Sequence, residues 1–244
     1  MSLRRTLATA GRVVAQLLHD PRTIGLMIVV PCVLIALLKY VFDKQPQTFN
    51  ALAPMILGIF PLIMMFLITS IATLRERKNG TLDRLLTMPI SKLDFIFGYA
   101  LAFALLGIVQ ASVAALVTLG LLGVTVLGGT LAVVTSAVLT ALLGMSLGLL
   151  VSAFATNEFQ AVELVMPIMM PQVLLCGLFL PREQMATGLQ WLSNVLPLSY
   201  SVDAMKQITT NATWTGQLVR DLLVVLGCTM LALVLGSVTI RRQE

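Results

Sequence analysis

Six long apolar runs dominate the chain, and short polar segments separate them. The runs occupy residues 24–42, 51–74, 95–122, 131–155, 161–180 and 222–240. An α-helix needs roughly 20 mostly apolar residues to cross about 30 Å of hydrocarbon, and each run meets or approaches that length. The pattern therefore predicts an all-α membrane protein with six transmembrane helices.

A different pattern precedes the first run. Residues 2–19 place apolar side chains at steps of three and four, with three arginines at other positions. Such spacing is typical of a helix that lies in the plane of the membrane interface. Asp20-Pro21 is expected to turn the chain into the first span, because proline disfavours helix at the residue before it.

Composition agrees with a membrane protein and predicts its orientation. Of 244 residues, 58% are hydrophobic and 11% are charged, whereas soluble domains carry about a quarter charged residues. If the N-terminus is cytoplasmic, the inner segments hold eleven of the 16 Lys and Arg residues, and the outer loops hold three or four. Basic residues concentrate in cytoplasmic loops, so both termini are expected to be cytoplasmic. The net charge of +5 then reflects topology, and nucleic acid is not an expected partner.

Few residue types suited to catalysis occur. The single histidine, His19, lies outside the spans, which argues against a Ser-His dyad or a multi-histidine metal site within the membrane. The three cysteines lie inside spans without metal-ligand spacing, and we interpret them as core residues. The chain has no Gly-x-x-x-x-Gly-Lys-Ser/Thr phosphate loop. We therefore expect no enzyme activity here, and the energy for transport to come from a partner or an ion gradient.

The fourth run contains the sequence GMSLG, with Gly144 and Gly148 one turn apart. Small residues at this spacing let a second membrane helix approach closely. The motif predicts a tight helix crossing, most simply within the same chain.

The most polar stretch, RERKNGTLDRLLTMPISKLDF, occupies residues 75–95 between the second and third runs. Within residues 81–88 the leucines fall on one helical face and the charged residues on another. Met88-Pro89 ends the pattern, and Ser91 is a candidate cap for the next helix. We predict a short amphipathic helix at the cytoplasmic mouth of the spans. Composition alone fits a solvated loop equally well, and the order of the residues is what favours the helix.

This segment closely resembles the cytoplasmic part of type-2 ATP-binding-cassette permeases, especially bacterial drug and lipid exporters. Their pattern is an acidic residue, Gly-Thr, an acidic residue, paired leucines and a proline before the third span. The matching positions are Glu76, Gly80, Thr81, Asp83, Leu85, Leu86 and Pro89. The family often has Glu where this chain has Asp83. Residues 19–23 are also similar to the start of the family's first span, and residues 176–208 to its span-five exit, external helices and Pro-Leu-Ser/Thr-Tyr element.

The resemblance implies a single permease domain, residues 1–244. Its parts would be an interfacial helix (1–20), a cytoplasmic coupling segment (75–94) and an external segment with short re-entrant helices (181–217). Two permease subunits would pair, as a homodimer or with a sister permease, and receive two ATP-binding-cassette ATPases on the cytoplasmic side. Membrane lipid would be a further partner. No cofactor is expected in this chain, because ATP and Mg²⁺ would lie in the ATPase. The expected location is the cytoplasmic (inner) membrane of a bacterium.

Two groups of candidate site residues follow. The coupling helix would sit in a groove of the ATPase, and the candidate coupling residues are Arg75, Glu76, Arg77, Lys78, Gly80, Thr81, Leu82, Asp83, Arg84, Leu85, Leu86 and Pro89. Candidates for a gate or the substrate path are Glu163, Pro167, Pro171, Trp191, Pro197 and Tyr200.

The path candidates each keep an alternative interpretation. Glu163 faces the path or pairs with a nearby polar group, whereas Glu158 is expected to be solvated or to cap the helix. Pro167 and Pro171 are expected to bend span five, either as a moving element or as a static kink. Trp191 favours an outer-interface position, in helices that close the exit or in an amphipathic cap without a gating role.

The leading functional hypothesis is outward transport of a hydrophobic or amphiphilic drug or lipid, by alternating access powered by the ATPase. The alternatives are a polysaccharide or glycolipid export permease, an ion-driven secondary transporter, and a scaffold without transport. The chain has only 15 aromatic residues, which weighs against sugar stacking. It also lacks the internal repeats and midplane charges of secondary transporters apart from Glu163. The sequence does not identify the cargo.

Overall fold

The computed structural model describes residues 3–78 and 92–241, which form helices and turns without a β-strand. The helices are α1 (Leu3–Leu18), α2 (Pro21–Val41), α3 (Pro46–Lys78), α4 (Lys92–Leu116), α5 (Thr130–Ser152), α6 (Glu158–Glu163), α7 (Val165–Leu175), α8 (Thr187–Val195), α9 (Pro197–Thr210) and α10 (Gly216–Arg241). A π-helical turn, Val117–Leu121, continues α4. A 3₁₀ turn, Arg182–Gln184, precedes α8.

Within the described residues, six helical segments are long and apolar enough to cross a membrane. They are Pro21–Val41, Pro46–Lys78, Phe97–Leu121, Thr130–Ser152, Glu158–Leu175 and Gly216–Gly236. Each overlaps one of the six apolar runs, so the prediction of an all-α membrane protein with six spans is confirmed.

The first helix, α1, packs along α4 and turns directly into α2. A Cβ atom on Gly98 of α4 would lie 2.7 Å from Cβ of Thr9, so this glycine permits the close contact. Asp20 caps α2, because its carboxylate accepts hydrogen bonds from the Thr23 hydroxyl (2.6 Å) and backbone N–H (3.3 Å). Pro21 occupies the first helical turn, where its missing N–H costs nothing. The bonds from Thr23 also hold the pKa of Asp20 below its ordinary value.

The centre of the bundle is the crossing of α3 and α5, and the prediction from the GMSLG motif is confirmed there. A Cβ atom on Gly144 would lie 2.2 Å from the Leu62 carbonyl oxygen, and one on Gly148 would lie 2.5 Å from that of Phe66. The two backbones are therefore in direct contact. Leu62 and Phe66 are fully buried at this crossing, and α4, α9 and α10 pack around it.

Two ends of the bundle are used as reference below. The α1 end holds α1, the last turn of α3 and the start of α6. The opposite end holds the π-helical turn, α8 and α9. Gly123 (φ 71°) and Gly129 (φ 83°) make the turns between α4 and α5 at the opposite end, a conformation that glycine adopts without steric cost.

The fifth span is interrupted, and it ends earlier than the sequence predicted. The break lies at Leu164, between α6 and α7. Pro167 explains it, since proline lacks the N–H that would bond to the carbonyl of Glu163 and its ring crowds that carbonyl. The helix then ends at Leu175 instead of residue 180, because Gly177 takes the left-handed conformation (φ 89°) that commonly follows a helix end.

The segment after the fifth span folds back as α8 and α9. The buried Ser193 hydroxyl donates to the Leu175 carbonyl (2.7 Å) and lies 3.1 Å from the Ser199 hydroxyl. These bonds hold α8 and α9 against the end of α7. Helices are thus present within residues 181–217, as predicted, and their re-entrant position in a membrane stays a prediction.

Replacement of Gly144 by Ala is expected to destabilise the protein by about 2 kcal/mol or more, because the new methyl group meets the backbone of α3 and forces the two helices apart. Thermal unfolding of the purified protein in detergent measures the effect. Gly227→Ala is the matched control, since Gly227 is a helical glycine with open space around its Cβ position. Equal melting temperatures for the two variants would show that the helices adapt to the methyl group.

Candidate coupling end and transport path

The last turn of α3 carries four of the twelve predicted coupling residues, and each lies at the α1 end. They are Arg75, Glu76, Arg77 and Lys78. The remaining candidates and the predicted helix over 81–88 lie outside the described residues: Gly80, Thr81, Leu82, Asp83, Arg84, Leu85, Leu86 and Pro89.

Arg75 joins α3 to the start of the fifth span. Its Nε and Nη2 atoms donate to the two carboxylate oxygens of Glu158 at 2.8 and 2.9 Å. This two-bond arrangement defines the relative position of both side chains. About half of each side chain is exposed, so the pair is worth little stability and breaks easily. Glu158 was expected to be solvated or to cap α6. It is exposed to solvent and also pairs with Arg75, and the cap is Asn157.

Arg77 joins α3 to the end of α5. Its guanidinium donates to the carbonyl oxygens of Ala153 (2.9 Å) and Ala155. The last carbonyls of a helix lack partners within the helix and carry partial negative charge. An arginine from a neighbouring helix satisfies both requirements, so Arg77 has a structural role that its position in the sequence did not reveal.

Glu76 joins α3 to α1 and α4 through a cluster of three residues, Arg12, Glu76 and Tyr99. Arg12 Nη1 lies 3.3 Å from Glu76 Oε1, and Nη2 donates to the Tyr99 hydroxyl at 2.8 Å. The same guanidinium lies 5.8 Å from the centre of the Tyr99 ring. Tyr99 is fully buried and 13% of the Glu76 side chain is exposed. This is the most enclosed ionic contact at the α1 end among the described residues.

Three consecutive residues of α3 therefore contact different parts of the bundle. Arg75 contacts α6, Glu76 contacts α1, and Arg77 contacts the end of α5. Successive residues on a helix point about 100° apart, which explains how one turn reaches three neighbours. A displacement of the chain just after Lys78 would act on all three contacts together.

Arg12 was not among the predicted site residues, because the sequence assigned it only to the positive charge of the interfacial helix. No local signal marks it, since its partners are 64 and 87 residues away. Tyr99, near the start of the third span, could have indicated such a residue, because a tyrosine hydroxyl buried among helices requires a hydrogen-bond partner.

The predicted path residues are spread along the second half of the chain. Glu163 is an exposed residue at the end of α6, and the described part of the chain contains no ion pair for it. Pro167 and Pro171 lie in α7, within a fifth span that is mostly uncovered by the rest of the chain. Trp191 on α8 is 70% exposed. Pro197 begins α9, and the Tyr200 hydroxyl donates to the Asn194 carbonyl at 2.7 Å. Their role in a path or gate stays a prediction.

An arginine that sequence reasoning missed organises the opposite end. Arg182 donates to carboxylate and amide oxygens of Asp203 and Asn194, and its guanidinium lies 5.4 Å from the centre of the Tyr200 ring. These contacts bind the 3₁₀ turn to α8 and α9. Burial raises the pKa of Asp203 above its ordinary value, although Arg182 opposes the shift. Arg182 and Asp203 are 21 positions apart in the sequence, which explains why local spacing did not predict the pair.

A cavity of about 560 Å³ opens at the α1 end between α1, α2, α3 and α4. Its polar wall contains Asp20, Arg75, Glu76 and Tyr99, and its apolar wall continues deeper along α2 and α3. The volume lies in the range of pockets that hold one drug-sized ligand. None of the predicted path residues lines this cavity.

Comparison with known proteins agrees with this architecture. Residues 4–209 match the model of the ABC-2 type transporter family. The chain is 29% identical over 166 residues to ABC transporter G family member 20 of Dictyostelium discoideum, covering 68% of this chain and 23% of that protein. It is 29% identical over 155 residues to the probable multidrug ABC transporter permease YbhR of Escherichia coli, covering 64% and 42%. It is 24% identical over 173 residues to the probable multidrug ABC transporter permease YbhS of the same organism, covering 70% of this chain and 45% of that protein.

Six membrane-spanning helices and a family match over most of the chain together define the class of this protein. The chain belongs to the ABC-2 type transporter family, which consists of membrane transport subunits. The resemblance noted from residues 75–95 is thereby confirmed at the level of the family. The chain spans less than half the length of each of the three relatives named above.

We expect the interaction between Arg75 and Glu158 to contribute about 0.5 kcal/mol to the free energy of unfolding. This contribution should decrease with added salt, because both side chains are half exposed. Thermal unfolding of Arg75→Glu, Glu158→Arg and the double variant, at low and high NaCl, measures it. Each single variant places like charges together, whereas the double variant restores an opposite pair. Additive effects of the two single changes would indicate that the two side chains do not interact.

Removal of the Arg182 side chain is expected to loosen the opposite end, because Arg182→Ala deletes the contacts to Asp203, Asn194 and Tyr200 together. Hydrogen–deuterium exchange of the α8 amides should become at least several-fold faster. Lys44→Ala serves as control, since Lys44 is an exposed basic residue at the same end. Unchanged exchange in α8 would mean that the serine contacts alone hold the helix.

Proposed function

We propose that the chain is the membrane-spanning subunit of an ATP-driven exporter. In this proposal the α1 end is cytoplasmic, both termini are on that side, and α8 and α9 lie outside. ATP is hydrolysed by a separate ATP-binding-cassette subunit that docks on residues 75–94, with Mg²⁺ bound in that partner. The distribution of basic residues supports the orientation.

One observation carries the proposal: α3 makes three separate contacts immediately before the segment that resembles a coupling helix. The contacts reach α6, α1 and the end of α5 through Arg75, Glu76 and Arg77. A force applied by the ATPase after Lys78 therefore has a direct physical route to the other helices. A loop that served only to carry positive charge would not require these defined partners.

We infer an alternating-access mechanism from this arrangement. Closure of the two ATPases on ATP pushes the coupling segments, and α3 moves with them. The exposed Arg75–Glu158 pair is the weakest of the three contacts, so it is the place where α3 and the fifth span separate first. The interruption at Leu164 gives α6 freedom to tilt relative to α7. The amphiphile is then released on the outer side, past α8 and α9.

The division of roles in the coupling segment follows from residue type. Leu82, Leu85 and Leu86 supply the apolar contact with the ATPase groove or anchor the helix to the spans, and Asp83 and Arg84 supply polar contacts. The predicted helix over 81–88 follows Gly80, and Met88-Pro89 ends it. The candidates for the path and its gate remain Glu163, Pro167, Pro171, Trp191, Pro197 and Tyr200.

The cargo class proposed is a hydrophobic or amphiphilic compound, a drug or a lipid. The relative YbhR is named a probable multidrug permease, which supports a drug-like cargo. The second half of the translocation pathway comes from a second permease subunit, most simply a copy of this chain in the cytoplasmic membrane of a bacterium. The poorly covered fifth span, Glu158–Leu175, supports a partner subunit at that surface.

The test is purification of the tagged protein from its native membrane in mild detergent, followed by mass spectrometry of every co-purifying chain. A stoichiometric ATPase with a phosphate-loop motif is expected. It should be lost when Leu82, Leu85 and Leu86 are replaced together by alanine, because the apolar docking surface is then removed.

The matched control replaces three exposed leucines at the opposite end, Leu121, Leu127 and Leu131. This variant should retain the ATPase, since these residues are far from the coupling segment. Absence of any ATPase partner in several mild detergents would contradict the proposal and favour an ion-driven transporter. Retention of the ATPase by the first variant would move the docking surface elsewhere.

A further inference from the structure

The cavity at the α1 end has a polar part and an apolar part arranged along the helices. The polar part lies where α1 meets α2, at the last turn of α3 and at the start of α4, and its charged residues are Asp20, Arg75 and Glu76. The apolar part lies deeper, with Met27 of α2, Met64 of α3 and Phe103 of α4. Such a gradient along the helices matches an amphiphile with its head at the α1 end and its tail inside.

The charges around the polar part leave negative charge uncompensated. Both nearby guanidinium groups already have carboxylate partners, since Arg12 bonds Glu76 and Arg75 bonds Glu158. Asp20 accepts hydrogen bonds from Thr23 and from the backbone of Arg22, and the charge of Arg75 acts on it, but it makes no ion pair within the described part of the chain. Two guanidinium groups therefore face three carboxylates here, those of Asp20, Glu76 and Glu158. Glu76 has a second oxygen, Oε2, that is buried and accepts no hydrogen bond from the described residues.

These features select the charge of the ligand. A buried carboxylate oxygen without a donor is unfavourable, and an ammonium group supplies up to three donors and the opposite charge. An anionic head would meet Asp20 and Glu76, while the two guanidinium groups beside them, Arg12 and Arg75, are each already bonded to a carboxylate. A neutral alcohol offers a single donor and no charge. The head is therefore a protonated amine.

We propose that this cavity binds an amphiphile carrying a protonated amine, taken from the cytoplasmic leaflet, with its amine between Asp20 and Glu76. The volume of about 560 Å³ accommodates one drug-sized apolar body or one acyl chain. Binding depends only on the cavity. The further role of the cavity as the first station of export rests on the function proposed above.

The experiment uses the purified chain in phosphatidylcholine nanodiscs without ATP or an ATPase. The probe is dodecylamine bearing a photoactivatable diazirine, and its controls are the corresponding alcohol and sulfate with the same diazirine. At neutral pH the amine is charged, because alkylamines have a pKa of about 10.4, as in lysine. After irradiation, mass spectrometry locates the labelled residues. The amine is expected to label Met27, Met64 and Phe103 at least several-fold more than either control probe.

Asp20→Asn is the principal variant, because asparagine keeps the helix cap while the charge is removed. It is expected to lower labelling about threefold, as for loss of a partly exposed ion pair. Glu76→Gln should lower it about tenfold, since a hydrogen bond to a charged buried group is lost. Ala72→Leu, which narrows the cavity without changing its charge, should lower labelling by all three probes.

The control variants are Asp43→Asn and Glu183→Gln, two exposed carboxylates at the opposite end. They make the same chemical changes and should leave labelling as in the parent protein. Equal labelling by the amine, the alcohol and the sulfate would overturn the proposal. The proposal would also be overturned if labelling by the amine were unchanged in both Asp20→Asn and Ala72→Leu.

Two sources provide a protonated amine, an aminophospholipid of the leaflet and a cationic amphiphilic compound. Phosphatidylethanolamine added to the nanodiscs should compete with the probe if the lipid is the natural occupant. Absence of competition together with saturable probe binding would assign the cavity to a cationic compound. The labelling experiment contains no ATPase, so absence of amine labelling would not contradict the exporter proposal. Conversely, failure to co-purify an ATPase would not contradict binding of the amine in this cavity.

Discussion

The backbone contact between α3 and α5 is the constraint on which the rest of the structure depends. Lipid tails are as apolar as leucine, so membrane helices gain little from hydrophobic burial and associate through close packing. Gly144 and Gly148 bring α5 against the carbonyls of Leu62 and Phe66. That contact determines the position of α3 in the bundle. The position of its last turn, and therefore of Arg75, Glu76 and Arg77, follows from it.

The centre of the bundle is tightly packed and its rim is loosely held, which agrees with the alternating-access mechanism proposed above. The glycine crossing has no room to slide without a backbone clash, whereas the Arg75–Glu158 pair is half exposed and weak. The fifth span is interrupted at Leu164, and α7 is poorly covered by its own chain. The enclosed contact of Arg12 with Glu76 and Tyr99 lies between these extremes. It keeps α1 attached to α3 while the cavity beside it remains open.

The fold and the candidate site differ in how far they could be predicted. The six spans, α1 and the glycine crossing were predictable, because hydrophobic runs and small-residue spacing are local patterns. The end of the fifth span was wrong by five residues, since the left-handed Gly177 was not recognised as a helix end. Arg12 and Arg182 were missed, because their partners lie far away along the chain. The predicted coupling helix lies outside the described residues and stays a prediction.

The sequence by itself determined the class of this protein. The lengths of the apolar runs set the number of spans, and the order of residue types along 75–95 indicates the family. Both depend on residues close together in the chain, where the physics of insertion and helix formation acts. Only the tertiary structure decided which charges meet. Arg75 and Glu158 are 83 residues apart, and Asp20 and Glu76 line the same cavity only because α2 and α3 pack side by side. Pairings of this kind arise from packing, which no local pattern encodes.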